Sequence, residues 1–224
     1  DGTFGYPPSI IPTWSGGTFN GGTFRGGWKY GIFNGGTFSG NTWSGGTFNN
    51  GLISDVIWYD GVFNNGTIQL SVWYNGTFYN GTMTNNSIWY NGTFYNGDII
   101  SSSWINGNLY YGNLYYVLWS NGNFYNGVAN KTTFTTVTWY DGVFNSGEFG
   151  VIGASKWYNG SFNSGVFHNG NTWYNGSFYN GEFNSYNWIK GVFYNGTGFG
   201  NHPIASGTYY PYVKERFIST NPSM

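Results

Sequence analysis

The sequence contains no cysteine, very little charge and no long apolar run. Without cysteine there is no disulfide framework, no zinc knuckle and no thiol nucleophile. Only 7% of the 224 residues are charged and the formal net charge is −1, which excludes strong electrostatic binding to nucleic acid or to an anionic membrane. No apolar run is long enough for a transmembrane helix. We therefore expect no nucleic-acid partner and no membrane insertion.

Aromatic residues, at 24%, and glycine, with 39 copies, are abundant. Large apolar residues recur every five positions, and groups of three such pentads begin with tryptophan, as in the run Trp58, Phe63, Ile68, Trp73, Phe78 and Met83. All 12 tryptophans lie on this grid. A period of five matches neither the α-helix nor a long β-strand. It predicts short straight segments separated by corners.

Glycine stands two positions before most of the apolar residues, as Gly76 does before Phe78. Residues two apart in an extended segment point the same way, so we expect both to face inward, the glycine making room for the ring. The Asn-Gly dipeptide before the segment suits a tight corner with positive φ. Asparagines at successive corners are expected to hydrogen-bond to one another.

The corner before each tryptophan seldom has glycine, and it holds most of the length changes. Two glycine corners and one variable corner predict a three-sided solenoid. The predicted fold is an all-β, single-chain β-solenoid of about 12 coils, mostly with three five-residue sides, with Trp and Phe ladders inside. The gap of 20 residues between Trp119 and Trp139 keeps the pentad spacing, and we interpret it as one coil with an added side.

The two ends of the sequence break the repeat. The sequence begins at Asp1 without a recognisable signal peptide, so we expect a processed product or part of a longer chain. Residues 1–13 contain three prolines, and residues 200–224 contain the densest cluster of charge. We predict an N-terminal cap or linker at 1–13, the pentad-repeat solenoid at 14–199, and a C-terminal cap or subunit junction at 200–224.

This pattern resembles pentapeptide-repeat proteins, right-handed β-solenoids with a large central apolar residue and a small residue two positions before it. The resemblance covers residues 14–199. The chain departs from the family in using glycine at the small position, tryptophan in every third pentad, and three rather than four pentads per coil. The arrangement W-x-x-G-x-F, as at residues 73–78, also resembles repeat segments in structural proteins of tailed bacteriophages. The second resemblance implies a tail-fibre or appendage protein.

The acidic residues and histidines form no recognisable catalytic arrangement. The carboxylates inside the repeat include Asp60, Asp98, Asp141, Glu148 and Glu182. We interpret them as solvated turn and surface residues, because a catalytic pair needs mutual proximity. The two histidines, His168 and His202, match neither a triad order nor a metal-ligand spacing. We predict no enzymatic activity, no metal site and no cofactor.

Two surface patterns leave alternatives open. Asn-x-Ser/Thr sequons are either repeat residues that the turn requires or glycan acceptors of an extracellular protein; they occur at Asn65, Asn75, Asn80, Asn85, Asn91, Asn130, Asn159, Asn175 and Asn195. Outward threonines suggest an ice-binding array, but Val62, Asp98 and Asn108 interrupt it.

The resemblance to pentapeptide-repeat proteins also implies a third possibility, an intracellular DNA mimic that binds topoisomerase. Such a mimic needs a strongly acidic surface, which a net charge of −1 does not give.

Tyrosine follows the inward residue in many pentads and is predicted to point outward. Stacked coils then display tyrosine ladders beside asparagine, which suits carbohydrate stacking or a protein interface. The alternative is that tyrosine only shields the corners. The residues that we predict to bind a ligand are Tyr59, Tyr74, Tyr90, Tyr140, Tyr158 and Tyr174.

The sequence therefore favours a non-enzymatic structural repeat protein of an extracellular fibre or virion appendage. The alternative is a carbohydrate-binding adhesin that uses the tyrosine and asparagine ladders, and the two roles are compatible. The expected location is extracellular or on a virion surface. The expected partners are copies of the same chain, other structural subunits, and surface glycans under the alternative.

Overall fold

The computed structural model describes residues 3–4, 12–130, 132–197 and 208–209. The described chain is a β-solenoid of about 12 turns, built from parallel strands and without a helix, with tryptophan and phenylalanine stacked inside. This confirms the predicted fold class. The described residues accordingly include no helix that could span a membrane. The chain divides into two compact units, Asp1–Leu118 and Trp119–Met224.

Most strands contain only two residues, which is the length of one straight side between corners. The strands that begin in the first unit are β1 (Thr3–Phe4), β2 (Thr13–Trp14), β3 (Thr18–Phe19), β4 (Thr23–Phe24), β5 (Gly27–Trp28), β6 (Ile32–Phe33), β7 (Thr37–Trp43), β8 (Thr47–Phe48), β9 (Leu52–Trp58), β10 (Val62–Phe63), β11 (Thr67–Gln69), β12 (Val72–Trp73), β13 (Thr77–Phe78), β14 (Thr82–Thr84), β15 (Ile88–Trp89), β16 (Thr93–Phe94), β17 (Asp98–Ile100), β18 (Ser103–Trp104), β19 (Asn108–Tyr115) and β20 (Leu118–Trp119).

The remaining strands belong to the second unit. They are β21 (Asn123–Asn130), β22 (Thr132–Phe134), β23 (Thr138–Trp139), β24 (Val143–Phe144), β25 (Gly147–Phe149), β26 (Lys156–Trp157), β27 (Ser161–Phe162), β28 (Val166–Phe167), β29 (Thr172–Trp173), β30 (Ser177–Phe178), β31 (Glu182–Phe183), β32 (Asn187–Trp188), β33 (Val192–Phe193) and β34 (Thr208–Tyr209).

In the first unit each side of a coil pairs in parallel with the same side of the next coil, so like residues lie above one another. Trp73 pairs with both Trp58 and Trp89, and Phe78 with Phe63 and Phe94. The tryptophan column consists of Trp14, Trp28, Trp43, Trp58, Trp73, Trp89 and Trp104. Its successive ring centroids are 4.5–5.2 Å apart and the rings are nearly parallel.

The second unit keeps three sides per coil, and the interpretation of the gap before Trp139 as an added side is wrong. Phe124 pairs with Trp139, and Ala129 pairs with Phe144. The side chains of Asn130 and Asn145 are hydrogen-bonded across the same spacing of 15 residues. The extra pentad therefore places Trp139 on a different side from Trp119. As a result Trp139 stacks on the ring of Phe124, with centroids 4.0 Å apart.

The glycine corners have the positive φ that the sequence predicts, but the backbone is the main reason for glycine. Gly81 has φ +128°, and a Cβ atom there would lie 2.2 Å from the carbonyl oxygen of Gly66 in the neighbouring coil. At Gly61 the Cβ would also lie 3.2 Å from Nε1 of Trp43. Room for the ring is thus a secondary requirement, whereas the close approach of two backbones excludes a side chain outright.

The third corner uses a different construction, in which a buried small polar residue replaces glycine. Ser71, Ser87 and Ser102 are buried there. The Ser71 hydroxyl donates to the carbonyl oxygen of Gln69 at 2.6 Å and accepts the amide of Val56 at 3.2 Å. Leu70 precedes Ser71 with φ +50°. Side-chain hydrogen bonds satisfy the corner backbone here, so this corner accommodates changes in length that the glycine corners do not.

The ends of the predicted solenoid fall mainly on residues outside the described ranges. The predicted caps at 1–13 and 200–224, together with His202, are not described apart from short segments. In those segments β1 pairs with β4 and β34 pairs with β33, in both cases in parallel. The predicted boundaries of the cap and junction segments stay predictions.

Candidate functional site

Within each described unit, tyrosines on the outer surface are stacked in rows, because the residue after each inward ring points outward and the coils are in register. Tyr74, which follows Trp73, lies between Tyr59 and Tyr90 of the neighbouring coils. The rows are row 1 (Tyr59, Tyr74, Tyr90), row 2 (Tyr79, Tyr95, Tyr110), row 3 (Tyr125, Tyr140, Tyr158, Tyr174) and row 4 (Tyr179, Tyr194).

The predicted ligand-binding tyrosines fall into two of these rows. Row 1 contains Tyr59, Tyr74 and Tyr90, with centroid separations of 5.5 and 4.9 Å and exposed fractions of 39–49%. Row 3 contains the predicted Tyr140, Tyr158 and Tyr174, with separations of 5.3 and 4.7 Å. The two sets belong to different units of the chain.

The predicted set is incomplete in both units. Tyr125 stacks on Tyr140 at 4.7 Å and extends row 3. Tyr110 stacks on Tyr95 at 5.2 Å and belongs to row 2. Tyr110 follows Leu109, which occupies the inward position that phenylalanine holds in neighbouring coils. The sequence predicts Tyr110 as a member of the row if leucine is treated as equivalent to phenylalanine at the inward position.

The stacking within each row determines which atoms a ligand can reach. In row 1 both interplanar angles are 8°, and in row 4 the angle is 1°. The two faces of an interior ring such as Tyr74 are therefore turned toward its neighbours. A row presents ring edges and phenolic hydroxyls to solvent rather than open faces. Stacking of a sugar on a ring face, which the sequence suggested, is available only at the ends of a row.

Row 1 lies beside a second apolar row, which row 3 lacks. Ile57, Val72 and Ile88 precede the inward tryptophans, point outward, and are paired in register. Ile57 is exposed and the other two are partly exposed. The corresponding residues beside row 3 are Thr138, Lys156 and Thr172. The surface around row 1 is thus distinctly more apolar than the surface around row 3.

Asparagine ladders accompany the tyrosine rows, as the sequence predicts. At the corner, Asn80 donates to Oδ1 of Asn65 at 3.2 Å and accepts from Asn96 at 3.1 Å. A second ladder runs along a flat side through Asn20, Asn34, Asn49 and Asn64, with distances of 2.7–2.8 Å. Its side continues as row 2, because Phe63 pairs with Phe78.

The acidic residues act in turns and surface pairs. Oδ1 of Asp60 accepts the amide of Gly61 at 2.7 Å, and Oδ1 of Asp141 accepts the amide of Gly142 at 2.9 Å. Asp98 accepts the side-chain amide of Asn113 and Glu182 that of Asn184, and His168 lies 3.2 Å from Glu148. Among the described residues, no group of three His, Cys, Asp or Glu side chains could hold a metal ion.

The row of outward threonines, which an ice-binding surface would need to be continuous, is interrupted where the sequence predicts. The register places Val62 and Asn108 in one row with Thr47, Thr77 and Thr93. A flat uninterrupted threonine surface is therefore missing from this side of the first unit. The sequon Asn75 is exposed, whereas Asn130 is partly covered and accepts a hydrogen bond from Asn145.

No family model, curated protein or solved structure matches this chain.

Proposed function

We propose that this chain is a non-enzymatic structural repeat protein of an extracellular fibre or virion appendage. The observation that carries the proposal is the unbroken stack of inward-facing rings. In the first unit seven tryptophans form one column, with consecutive centroids 4.5–5.2 Å apart. Each coil repeats the same packing, which is the construction expected of a stiff scaffold.

The energetics of this core favour rigidity over motion. Stacked aromatic pairs contribute about 0.5–1.5 kcal/mol each beyond the burial of their surface. The stacks offset a real cost, because the buried indole N–H groups of Trp43, Trp58 and Trp73 have no hydrogen-bond partner. An unsatisfied buried donor costs about 1–3 kcal/mol. A slip of one residue would expose the rings, so the stacks also fix the register.

The surface supports a role in assembly. Only 7% of the residues are charged, and asparagine, threonine and tyrosine cover the outer faces. The resemblance of the W-x-x-G-x-F repeats to those of tailed-bacteriophage structural proteins favours the virion version. Self-association or contact with other structural subunits is the expected mode of assembly.

Antibody-labelled electron microscopy of the native source tests this proposal. Labelling along continuous fibres, or on appendages of virus particles, is the expected result. A label that is dispersed away from any fibre or particle would contradict the structural role. Purified chain mixed with the same antibody serves as the reference for labelling efficiency.

A carbohydrate-binding adhesin is the second candidate, and the apolar surroundings of row 1 favour it. The exposed edges and hydroxyls of Tyr59, Tyr74 and Tyr90 lie beside Ile57, Val72 and Ile88. Amphipathic tyrosine is well suited to contacts that are partly apolar and partly polar. Because ring faces are covered within the row, the hydroxyls are the expected recognition groups.

Substitution of Tyr74, Tyr90 and Tyr158 tests the adhesin. The triple phenylalanine variant keeps the stacks and removes the hydroxyls, whereas the triple alanine variant removes both. Under this candidate both variants lose binding to glycan arrays and to host surfaces while their circular dichroism is retained. Unchanged binding by the alanine variant would exclude the tyrosine rows as the adhesive surface.

A further inference from the structure

We propose that the tyrosine rows are sites of oxidative cross-linking, at which neighbouring rings of one chain couple into dityrosine and join successive coils covalently. The two pairs on which the proposal is tested are Tyr59–Tyr74 in row 1 and Tyr140–Tyr158 in row 3. This modification goes beyond the structural role proposed above and does not rest on it.

The geometry holds the reacting rings next to each other. Tyr59 and Tyr74 have ring centroids 5.5 Å apart and an interplanar angle of 8°. Tyr140 and Tyr158 have centroids 5.3 Å apart and an angle of 7°. Backbone pairing fixes this proximity, since the preceding Trp58 and Trp73 are register partners. Reactants that are fixed in contact react far faster than groups that must meet by diffusion.

The same tyrosines are accessible to an oxidant, while the oxidisable core is not. Tyr59 and Tyr74 are exposed to 49% and 42%, whereas Trp58 and Trp73 are buried. Coupling joins the ring carbons beside the hydroxyls, the Cε atoms, so it requires the outer edges of the two rings to tilt toward one another. A one-electron oxidant in solution therefore reaches the phenols before the indoles.

The chemistry balances with a peroxide as the oxidant and a haem peroxidase as the catalyst. Each of two phenols gives up one electron and its hydroxyl proton, forming two tyrosyl radicals. The radicals join through one Cε atom of each ring, and the hydrogen on each joined carbon moves to the oxygen and restores the phenol. The two electrons and two protons reduce one hydrogen peroxide to two waters.

Proximity, rather than exposure, is predicted to select the tyrosines that couple. Tyr30 and Tyr111 are exposed to 60% and 59%, which is more than any member of row 1. Neither of them is stacked on another tyrosine among the described residues. They are oxidisable but have no partner ring in contact, so they serve as internal controls.

The positions of aspartate allow each cross-link to be identified as a pair of linked peptides. Asp60 lies between Tyr59 and Tyr74, and Asp141 lies between Tyr140 and Tyr158. A protease that cleaves on the amino side of aspartate puts the two rings of each pair on different peptides. Coupling then links peptide 55–59 to peptide 60–97, and peptide 98–140 to the peptide that begins at Asp141.

The experiment treats the dilute full-length chain with horseradish peroxidase and hydrogen peroxide, followed by cleavage and mass spectrometry. Tyr59, the only tyrosine in peptide 55–59, is expected to be linked to Tyr74. The yield should be at least about tenfold higher than that of any link from Tyr59 to the more exposed Tyr30 or Tyr111. Dityrosine fluorescence on the monomer band of a denaturing gel confirms linkage within one chain.

The variant Tyr74→Phe keeps a ring of the same shape that cannot form a phenoxyl radical. It should reduce the link to Tyr59 to the background yield while leaving the Tyr140–Tyr158 link unchanged, which also shows that the variant is folded. The proposal is overturned if Tyr59 stays unlinked while Tyr30 or Tyr111 is oxidised. It is also overturned if Tyr74→Phe leaves the yield unchanged, or if all links join different chains.

Discussion

Glycine at the corners shows that the presence or absence of one Cβ atom determines whether two coils can pack together. Gly45 and Gly46 are consecutive in one corner but have different surroundings. Gly46 has φ +102°, and a Cβ atom there would lie 2.5 Å from the carbonyl oxygen of Gly31. A Cβ on Gly45 would make an ordinary contact of 3.6 Å with the carbonyl oxygen of Lys29. Only the second glycine of the pair is required by the packing of one coil on the next.

Alanine at these two neighbouring positions should therefore have very different effects on the free energy of unfolding. Gly46→Ala is expected to lower the free energy of unfolding by about 2–5 kcal/mol, from backbone strain and steric overlap together. Gly45→Ala should change it by less than about 1 kcal/mol, or raise it slightly by restricting the unfolded chain. Chemical denaturation of both variants measures the difference. Equal effects at the two positions would contradict the close approach of coils at Gly46.

Asn171 is a single buried residue that stabilises a corner of the second unit at which the spacing of the repeat changes. Its amide nitrogen donates to the carbonyl oxygens of Gly150 at 2.9 Å and His168 at 2.7 Å, and Oδ1 accepts the amide of Ser155 at 2.8 Å. Its own carbonyl oxygen accepts the hydroxyl of Ser185. One side chain thus satisfies the backbone of a corner that lacks the regular pairing of the repeat.

Asn171→Ala should consequently destabilise the chain by about 2–4 kcal/mol, because it leaves buried carbonyl and amide groups without partners. The exposed Asn180 in the same unit gives the matched control, and Asn180→Ala is expected to change stability by less than about 0.5 kcal/mol. Thermal unfolding of the two variants is the measurement. A small effect at Asn171 would mean that water or a neighbouring group replaces its hydrogen bonds.

At the scale of the element, each strand is held by its neighbours above and below rather than by its own length. Strand β13 (Thr77–Phe78) has two residues. The amide of Thr77 donates to the carbonyl oxygen of Gly61 at 2.9 Å, and that of Tyr79 donates to Phe63 at 2.8 Å. A side of this length cannot be stable alone, so stability is a property of stacked coils.

The sequence predicts these elements well, because the pentad period and the Asn-Gly corners are local features. It does not predict the arrangement around Trp119. A spacing of five is the same on all three sides, so it cannot distinguish a fourth side from a tryptophan on the next side. Only the pairing of Phe124 with Trp139 decides between them. Similarly, alternation shows that Tyr74 points outward but does not show that Tyr59 and Tyr90 cover its faces.

Cysteine pairs can test the arrangement around Trp119, because the chain has no native cysteine. Asn123 and Thr138 are register partners in the three-sided coil, while Val143 lies on the next side and pairs with Val128. Dibromobimane, which fluoresces after bridging two nearby thiols, should bridge Asn123→Cys/Thr138→Cys. It should leave Asn123→Cys/Val143→Cys unbridged. The reverse result would support a fourth side.

At the scale of the whole molecule, stability comes from aromatic burial and backbone pairing rather than from charge. Only 7% of the residues are charged. Among the residues that the structure describes, His168 and Glu148, 3.2 Å apart, form the one close contact between a basic and an acidic side chain. From Phe24 to Phe193, by contrast, the tryptophans and phenylalanines of the columns are almost completely buried in both units. The charge of this chain therefore contributes little to holding its coils together.

Salt should accordingly have little effect on thermal stability. Sodium chloride at about 1 M screens exposed charges almost completely, and it is expected to shift the melting temperature by no more than a few degrees. Sodium sulfate at the same ionic strength should raise the melting temperature, because it strengthens the burial of apolar surface. A large decrease in sodium chloride would show that unseen electrostatic contacts stabilise the chain.

Like residues of successive coils lie directly above one another in this fold, and cysteine pairs on one outward row measure that register. Thr77 and Thr93 are register partners, and Asn108 is the partner of Thr93 one coil further on. Adjacent coils bring two partner Cα atoms to about 4.8 Å, and two coils separate them by about 9.6 Å. We predict rapid bridging of Thr77→Cys/Thr93→Cys by dibromobimane and none of Thr77→Cys/Asn108→Cys. Equal bridging of both pairs, or bridging of the distant pair alone, would contradict the register on which the tyrosine rows and the aromatic columns depend.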